Sequence, residues 1–373
     1  MFRNSACILI VAVFSLVALG LVMLLSVSAF APDNRGDAMF FIVRQSAWLG
    51  LGVIAGILVT QLDYQLWVKY AQWFLILAAV LMIACFIPGI GTAVKGAHRW
   101  LNLGFAKVQP SEFAKLAVVA FMAFWLGKHQ RKIAEFKQGF AVPIGVVLGI
   151  AGILVFQPDL GTAALILLVA FLLMFIAGVR LRYILPIPVL GFLGIIGIAL
   201  AMPERRGRLL AFINPENYRS DEGYQVWQAL VAFGSGGTNG LGLGNSVQKM
   251  FYLPEAHTDF IFPIIGEELG LMVTLGVVLC FLMVALTGGY ISYHAPDAMG
   301  VLLGFGATAL ICIQAGMNIA VVTAMVPAKG IGLPFISYGG SNLVVCLACI
   351  GILLNIHRQA HYELEPQVLR TRK

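Results

Sequence analysis

The feature that most limits what this chain can become is a series of apolar runs close to twenty residues long, separated by short polar loops. The first runs from Ala6 to Ser28 and contains no Asp, Glu, Lys, Arg or His. A helix needs about 20 apolar residues to cross a bilayer core. Ten such spans can be drawn, at roughly 6–29, 41–60, 70–88, 110–127, 140–157, 160–178, 183–202, 261–287, 299–325 and 338–356. The expected fold is an all-α polytopic membrane protein of about ten transmembrane helices with one large extracytoplasmic loop. Only 11% of its residues are charged, against about 25% in soluble domains. Too little sequence lies outside the spans for a separate soluble domain, so residues 1–373 form a single unit. The first run is longer than a signal-peptide core of about 7–15 residues and reads as an uncleaved span.

Orientation follows from the short loops. With the N-terminus inside, the cytoplasmic segments hold Arg3, Lys69, Lys128, Arg131, Lys132, Lys137, Arg180 and Arg182, and Arg358, Arg370, Arg372 and Lys373 of the tail at 357–373. The short outer loops hold Arg35, Lys95, Arg99, Lys107 and Lys329. That bias, about twelve against five, is what the positive-inside rule expects, and it places both termini in the cytoplasm. The formal charge of +7 is thereby accounted for by topology. It points to membrane lipid and not to nucleic acid. The six cysteines all lie in apolar runs and read as small hydrophobes, including the pair Cys346 and Cys349.

One loop stands apart, from 203 to 260 on the outer face. Loops beyond about 12–15 residues are uncommon in compact domains and are usually functional or disordered. This one carries Trp227, Leu230, Val231 and Phe233 at helical spacing, so an ordered, partly helical lid is expected. Its glycine run from Gly234 to Gly244 lacks the Lys-Ser/Thr ending and the preceding strand of a nucleotide loop. That leaves a flexible turn, or a backbone that must approach something closely. No matching pair of interrupted helices marks the two halves as a transporter repeat.

The loop closes with Tyr252-Leu-Pro-Glu-Ala-His-Thr-Asp-Phe-Ile-Phe262, directly before an apolar span. Titratable groups at a membrane boundary are costly to place. Asp259 has two readings: the N-cap of the span that follows, or a general base at the water–lipid boundary. His257 reads as a hydrogen-bonding group, a base or a metal ligand, and Glu267-Glu268 inside the span require a cationic partner. The Arg99-Trp100 pair reads as an interfacial anchor or as a sugar-stacking wall. Outer-face Lys and Arg run against topology, and an anionic diphosphate headgroup would explain them.

These residues resemble the SEDS proteins, the FtsW/RodA family of peptidoglycan polymerases. The resemblance rests on the Tyr252–Phe262 stretch with Gly266-Glu-Glu-Leu-Gly270, Arg99-Trp-Leu-Asn-Leu-Gly104 and Gln109-Pro-Ser-Glu-Phe-Ala-Lys-Leu116. It rests further on Gln157-Pro-Asp-Leu-Gly161, on Gly234 to Lys249, and on Lys329-Gly-Ile-Gly-Leu-Pro-Phe-Ile-Ser-Tyr-Gly-Gly-Ser341. Gly244-Asn-Ser-Val-Gln-Lys249 and Pro254-Glu-Ala-His257 are more similar to the division branch than to the elongation branch. Asn342 and Ala324 depart from the family pattern, at positions expected to serve packing.

The resemblance implies ten spans and a glycosyltransferase that joins lipid II, a disaccharide-pentapeptide on undecaprenyl diphosphate, into glycan on the outer face of the cytoplasmic membrane. It implies a place at the division septum and a class B penicillin-binding protein and other divisome proteins as partners. Asp259 becomes the catalytic base. Glu255, His257, Lys249, Arg99, Trp100, Lys107, Lys115, Arg205, Arg208, Lys329 and Ser337 become the substrate-binding set. No cofactor is assigned; a divalent cation, Mg2+ or Mn2+, is a candidate for neutralising the departing diphosphate. The alternatives are a flippase for lipid-linked sugars, which would want polar residues at mid-depth, and a non-catalytic division scaffold.

Overall fold

A computed structural model describes residues 2–28, 39–187 apart from 95, 103 and 105, 215–218, and 223–371 apart from 251, 328 and 329, with three isolated positions between 188 and 200. The helices are α1 (Phe2–Ser28), α2 (Phe40–Gln61), α3 (Tyr64–Lys69), α4 (Ala71–Ala84), α5 (Pro110–Lys128), α6 (Val142–Phe156) and α7 (Leu160–Ala177). They continue as α8 (Leu181–Ile184), α9 (Tyr224–Gly236), α10 (Ile261–Tyr293), α11 (Ala298–Val322) and α12 (Gly340–Thr371). Among the described residues, eight helical segments are long and apolar enough to cross a membrane. The third expected span appears as the shorter apolar helix α4. Most of the seventh, at 183–202, lies outside the described residues. The chain is a multi-pass membrane protein.

Helix α5 is the centre of the bundle. It packs against α4, α7 and α11 and is buried along nearly its whole length. That position explains why it can carry Glu112 and Lys115: an interior helix does not present those charges to lipid. Helix α2 runs along α12, and α1 lies beside α10.

Between α4 and α5 an all-α reading is incomplete. Strands β1 (Gly91–Val94), β2 (Ala97–Asn102) and β3 (Lys107–Val108) form a small antiparallel sheet. The sheet satisfies the backbone of the loop that carries Arg99, Trp100 and Lys107. The break between α6 and α7 falls at Gln157-Pro158-Asp159 as expected, and the Asp159 carboxylate caps α7 by accepting from the Thr162 amide at 3.2 Å.

Helix α9 forms where the loop's helical spacing places it, but its buried face is one step around. Val226, Ala229, Ala232 and Gly236 point inward, while Trp227, Leu230, Val231 and Phe233 are partly exposed. Small residues allow α9 to approach α10 closely.

No interruption of α10 is expected from its apolar pattern, yet the helix is broken at Gly270, with φ 77° and ψ −177°. The break frees backbone groups that the loop at 237–242 takes up. Leu241 and Gly242 donate to the carbonyls of Glu267 and Glu268, both at 2.9 Å, and Leu271 donates to Gly237 at 3.0 Å. The glycine run is thus a close-approach device, and what it approaches is the protein's own helix. A Cβ on Gly240 would lie 2.3 Å from the Glu268 carbonyl oxygen, at a backbone φ of +75°. Gly240→Ala is expected to lower stability by about 2 kcal/mol or more through overpacking and left-handed strain. Gly276→Ala, in open space on the same helix, should be neutral or stabilising by up to about 1 kcal/mol. Thermal unfolding of the two variants in detergent checks the contrast.

Candidate active site at the outer end of α10

Asp259 lies just before α10, half-buried. The N-cap of the helix is Phe260, which makes no side-chain cap. Pro263 falls at the third helical position, where its missing N–H disturbs nothing. The Asp259 carboxylate faces Gly330: a Cβ there would lie 2.8 Å from Oδ2. The partial positive charge at the start of α10 favours the ionised carboxylate.

Three other segments fix the Asp259 backbone. The buried Asn318 of α11 donates from Nδ2 to the carbonyls of Asp259 and Ile331, both at 2.7 Å. Because both partners are acceptors, the amide orientation is determined. Ile331 in turn packs on the first turn of α7, where a Cβ on Gly161 would meet it at 2.8 Å. Ser337, buried, donates to the Thr258 carbonyl at 2.6 Å and accepts from the Leu333 amide at 2.7 Å. The Tyr338 amide donates to the His257 carbonyl at 2.9 Å.

Glu255 holds the turn itself. Its φ is +58°, a conformation that costs a non-glycine residue about 1–2 kcal/mol. In that conformation its carbonyl accepts from the amides of Thr258 at 3.0 Å and Phe260 at 3.2 Å. Its carboxylate accepts from the Thr258 hydroxyl at 3.0 Å. The His257 ring stacks on Phe41 of α2 with centroids 4.5 Å apart. Phe41 also meets Tyr338 edge-on at 4.7 Å. Gln45 of α2 donates to the Ser337 carbonyl at 3.2 Å and accepts from the Gly339 amide at 3.3 Å. Burial raises the Tyr338 phenol above its ordinary range, and the neighbouring Arg44 opposes the shift.

The expected cations divide into groups. Lys249 is fully buried and pairs with Glu268 at 2.5 Å, also donating to Ser26 of α1 at 2.8 Å. It is the cationic partner that the intrahelical carboxylates require. Glu267 accepts from the Ser246 and Ser235 hydroxyls and from the amides of Val247 and Gln248. Lys115 is buried too, 2.6 Å from Glu112 and 2.7 Å from Gln314 Oε1. Arg99 donates to the carbonyls of Gln157 and Pro158 and lies 4.0 Å from Asp159. Lys107 is exposed and Trp100 half-buried on the hairpin. Arg205, Arg208 and Lys329 lie outside the described residues.

Asn318 and Gln45 are the residues that sequence reasoning missed. Single polar residues inside apolar spans were the signal that could have found them. The two departures from the family pattern prove more than packing positions. Asn342 accepts from Gln314 at 3.1 Å, and Ala324 sits just past α11 at φ +57°, a conformation that suits glycine. Among the described residues, no group of three or more His, Cys, Asp or Glu side chains is placed to hold a metal ion.

The fold and this site together define a polytopic membrane protein with a well-positioned carboxylate just before a broken helix. The "Cell cycle protein" family of FtsW, RodA and SpoVE matches residues 6–362, and the chain belongs to that family. It is 44% identical over 356 residues to the "Probable peptidoglycan glycosyltransferase FtsW" of Geobacter metallireducens, covering 95% of this chain and 94% of that one. It is 38% identical to "Stage V sporulation protein E" of Bacillus subtilis, covering 95% and 97%. Among solved structures it resembles a chain from a study of "polymerization and crosslinking by a peptidoglycan synthase complex", with a TM-score of 0.79 at 27% identity over 94% and 97% of the two chains. It also resembles the rod shape determining protein RodA of Thermus thermophilus, with a TM-score of 0.68 at 27% identity over 94% and 96%.

Breaking one side of the buried Lys249–Glu268 pair leaves an uncompensated charge. Lys249→Met should therefore lower stability by about 3–5 kcal/mol. Adding Glu268→Gln, which keeps the carbonyl acceptor, should restore part of that loss. A double-mutant cycle by chemical or thermal unfolding measures the coupling.

Proposed function

We propose that the chain is a peptidoglycan glycosyltransferase that joins lipid II disaccharide units into glycan strands on the outer face of the cytoplasmic membrane. The observation that carries the reading is Asp259. Its backbone is locked by Asn318 and the Thr258–Ser337 bond, and its carboxylate faces Gly330 at the membrane boundary. Family membership and the names of the relatives support the same reaction.

In the proposed step Asp259 takes the proton from the acceptor sugar hydroxyl. The hydroxyl oxygen forms a bond to the donor's anomeric carbon as the bond from that carbon to the diphosphate oxygen breaks. The electron pair leaves on the diphosphate, so no acid is required to protonate an alcohol, in contrast to a glycosidase. Of the cations assigned to substrate, Lys115 and Lys249 are occupied by Glu112 and Glu268, and Arg99 by the 157–159 turn. Lys107, Arg205, Arg208 and Lys329 remain the candidates to stabilise the leaving diphosphate. His257 and Ser337 then act by positioning the Asp259 turn, and Trp100 by lining the hairpin side. No step is routed through a metal ion.

Septal wall synthesis, both termini in the cytoplasm, and a class B penicillin-binding protein with other divisome proteins as partners belong to the same proposal. The names of the FtsW relatives, the bias of the basic loops and the likeness to a synthase complex support them.

Purified protein with its transpeptidase partner should convert lipid II to glycan. Asp259→Ala should reduce that rate by about 100-fold or more, the scale of a general base, with unchanged melting. Gly330→Ala, which crowds the carboxylate, and Asn318→Ala, which releases the Asp259 backbone carbonyl, should fall by about tenfold or more on the same geometric ground. Full polymerisation by a folded Asp259→Ala protein would overturn the assignment.

A further inference from the structure

The segment 241–250 is built inside out. Ser246, Gln248 and Lys249 turn inward, at 0%, 8% and 3% exposure, while Leu241, Leu243, Val247 and Met250 turn outward, at 42%, 54%, 50% and 39%. A loop lying in water shows the opposite pattern. Asn245, an exposed polar residue of this stretch, spends its amide on the Leu241 carbonyl at 3.0 Å.

The backbone is treated in the same way. The amides of residues 240–242 and 245–250 all find acceptors within the protein. Several of those acceptors are side chains: Glu268 for Ser246, Glu267 for Val247 and Gln248, and Ser246 for Lys249. Water would serve exposed amides without help. Non-helical backbone at membrane depth has no water to turn to and must be satisfied internally. The outward face also continues the lipid-facing surface of α10. Leu271 follows the break at which the segment is hydrogen-bonded, and Leu271, Met272, Leu275 and Leu279 are exposed.

We propose that residues 241–250 form a re-entrant strap submerged in the outer leaflet, with Leu241, Leu243, Val247 and Met250 in contact with lipid acyl chains. Glu267 and Glu268 are then the internal substitutes for water that allow an irregular backbone to lie there. Tyr252, exposed just beyond the strap, sits where an interfacial aromatic belongs. The inference stands on packing and hydrogen bonding and does not depend on the reaction assigned to Asp259.

The test uses the full chain alone in lipid nanodiscs. Native protein is footprinted with a phospholipid carrying a carbene-generating group on its acyl chain. Adducts are expected within 241–250 at a yield comparable to that within 271–279; adducts in 271–279 with none in the strap would overturn the proposal. In parallel, nitroxide labels are placed singly at Leu243→Cys and Val247→Cys, with Glu216→Cys as the exposed reference, in a background lacking the native cysteines. Collision with dissolved oxygen should exceed collision with an aqueous nickel chelate several-fold at 243 and 247, and the order should reverse at 216. Chelate dominance at 243 and 247 would place the strap in water. Exclusion of both reagents would place it against protein, a second copy of the chain. Either result overturns the proposal.

Discussion

Two adjacent carboxylates inside a membrane helix set the form of the part of the protein around the start of α10. An ionised Glu in hydrocarbon is tolerated only where it finds protein partners. Glu268 finds Lys249 and Ser26; Glu267 finds hydroxyls and amides of the following loop. Those partners come from α1, α9 and the segment that leads into the Asp259 turn. The pair therefore ties three parts of the chain to the first stretch of α10. A broken helix beside them is a consequence: only when the ladder opens at Gly270 can the Glu267 and Glu268 carbonyls receive amides from the loop. Burying such a network is weak evidence for net stability. Its effect is to specify one arrangement, since any other leaves charge or amide unpaired in a dry place.

The Asp259 turn depends on a different logic. Nothing in it is a regular element, so its backbone groups have to be satisfied one by one. Asn318 joins the turn to Ile331, Ser337 joins it to the loop before α12, and Gln45 holds that loop to α2. Helices α2, α10, α11 and α12 meet there. A carboxylate positioned by four helices is held more firmly than one on a free loop, which is what transfer between two bound sugars requires.

The fold class was legible because hydrophobic length is a local property, and so was the break before Asp159, where Pro and an N-cap stand together. The hairpin at 91–108 was hidden because its strands are short and its pairing is set by the chain's path between α4 and α5. Helix α9 was legible from its spacing, but which face it buries was not, because the contact with α10 selects the small residues Ala229, Ala232 and Gly236. The carboxylate of Asp259 could be found from its neighbours in sequence. Its supports could not: Asn318 and Gln45 are isolated in apolar runs, and their meaning lies in partners far away in the chain.

The cations give the last step. Sequence places Lys115, Lys249 and Arg99 on the same face as Asp259, and charge alone would assign all three to an anionic substrate. In the fold each is already engaged, two with buried carboxylates and one with backbone carbonyls beside Asp159. Withdrawing such a group to meet a diphosphate would leave Glu112 or Glu268 charged and unmatched in the interior, a penalty of several kcal/mol. Lys115 and Lys249 are thus structural counter-charges within the bundle.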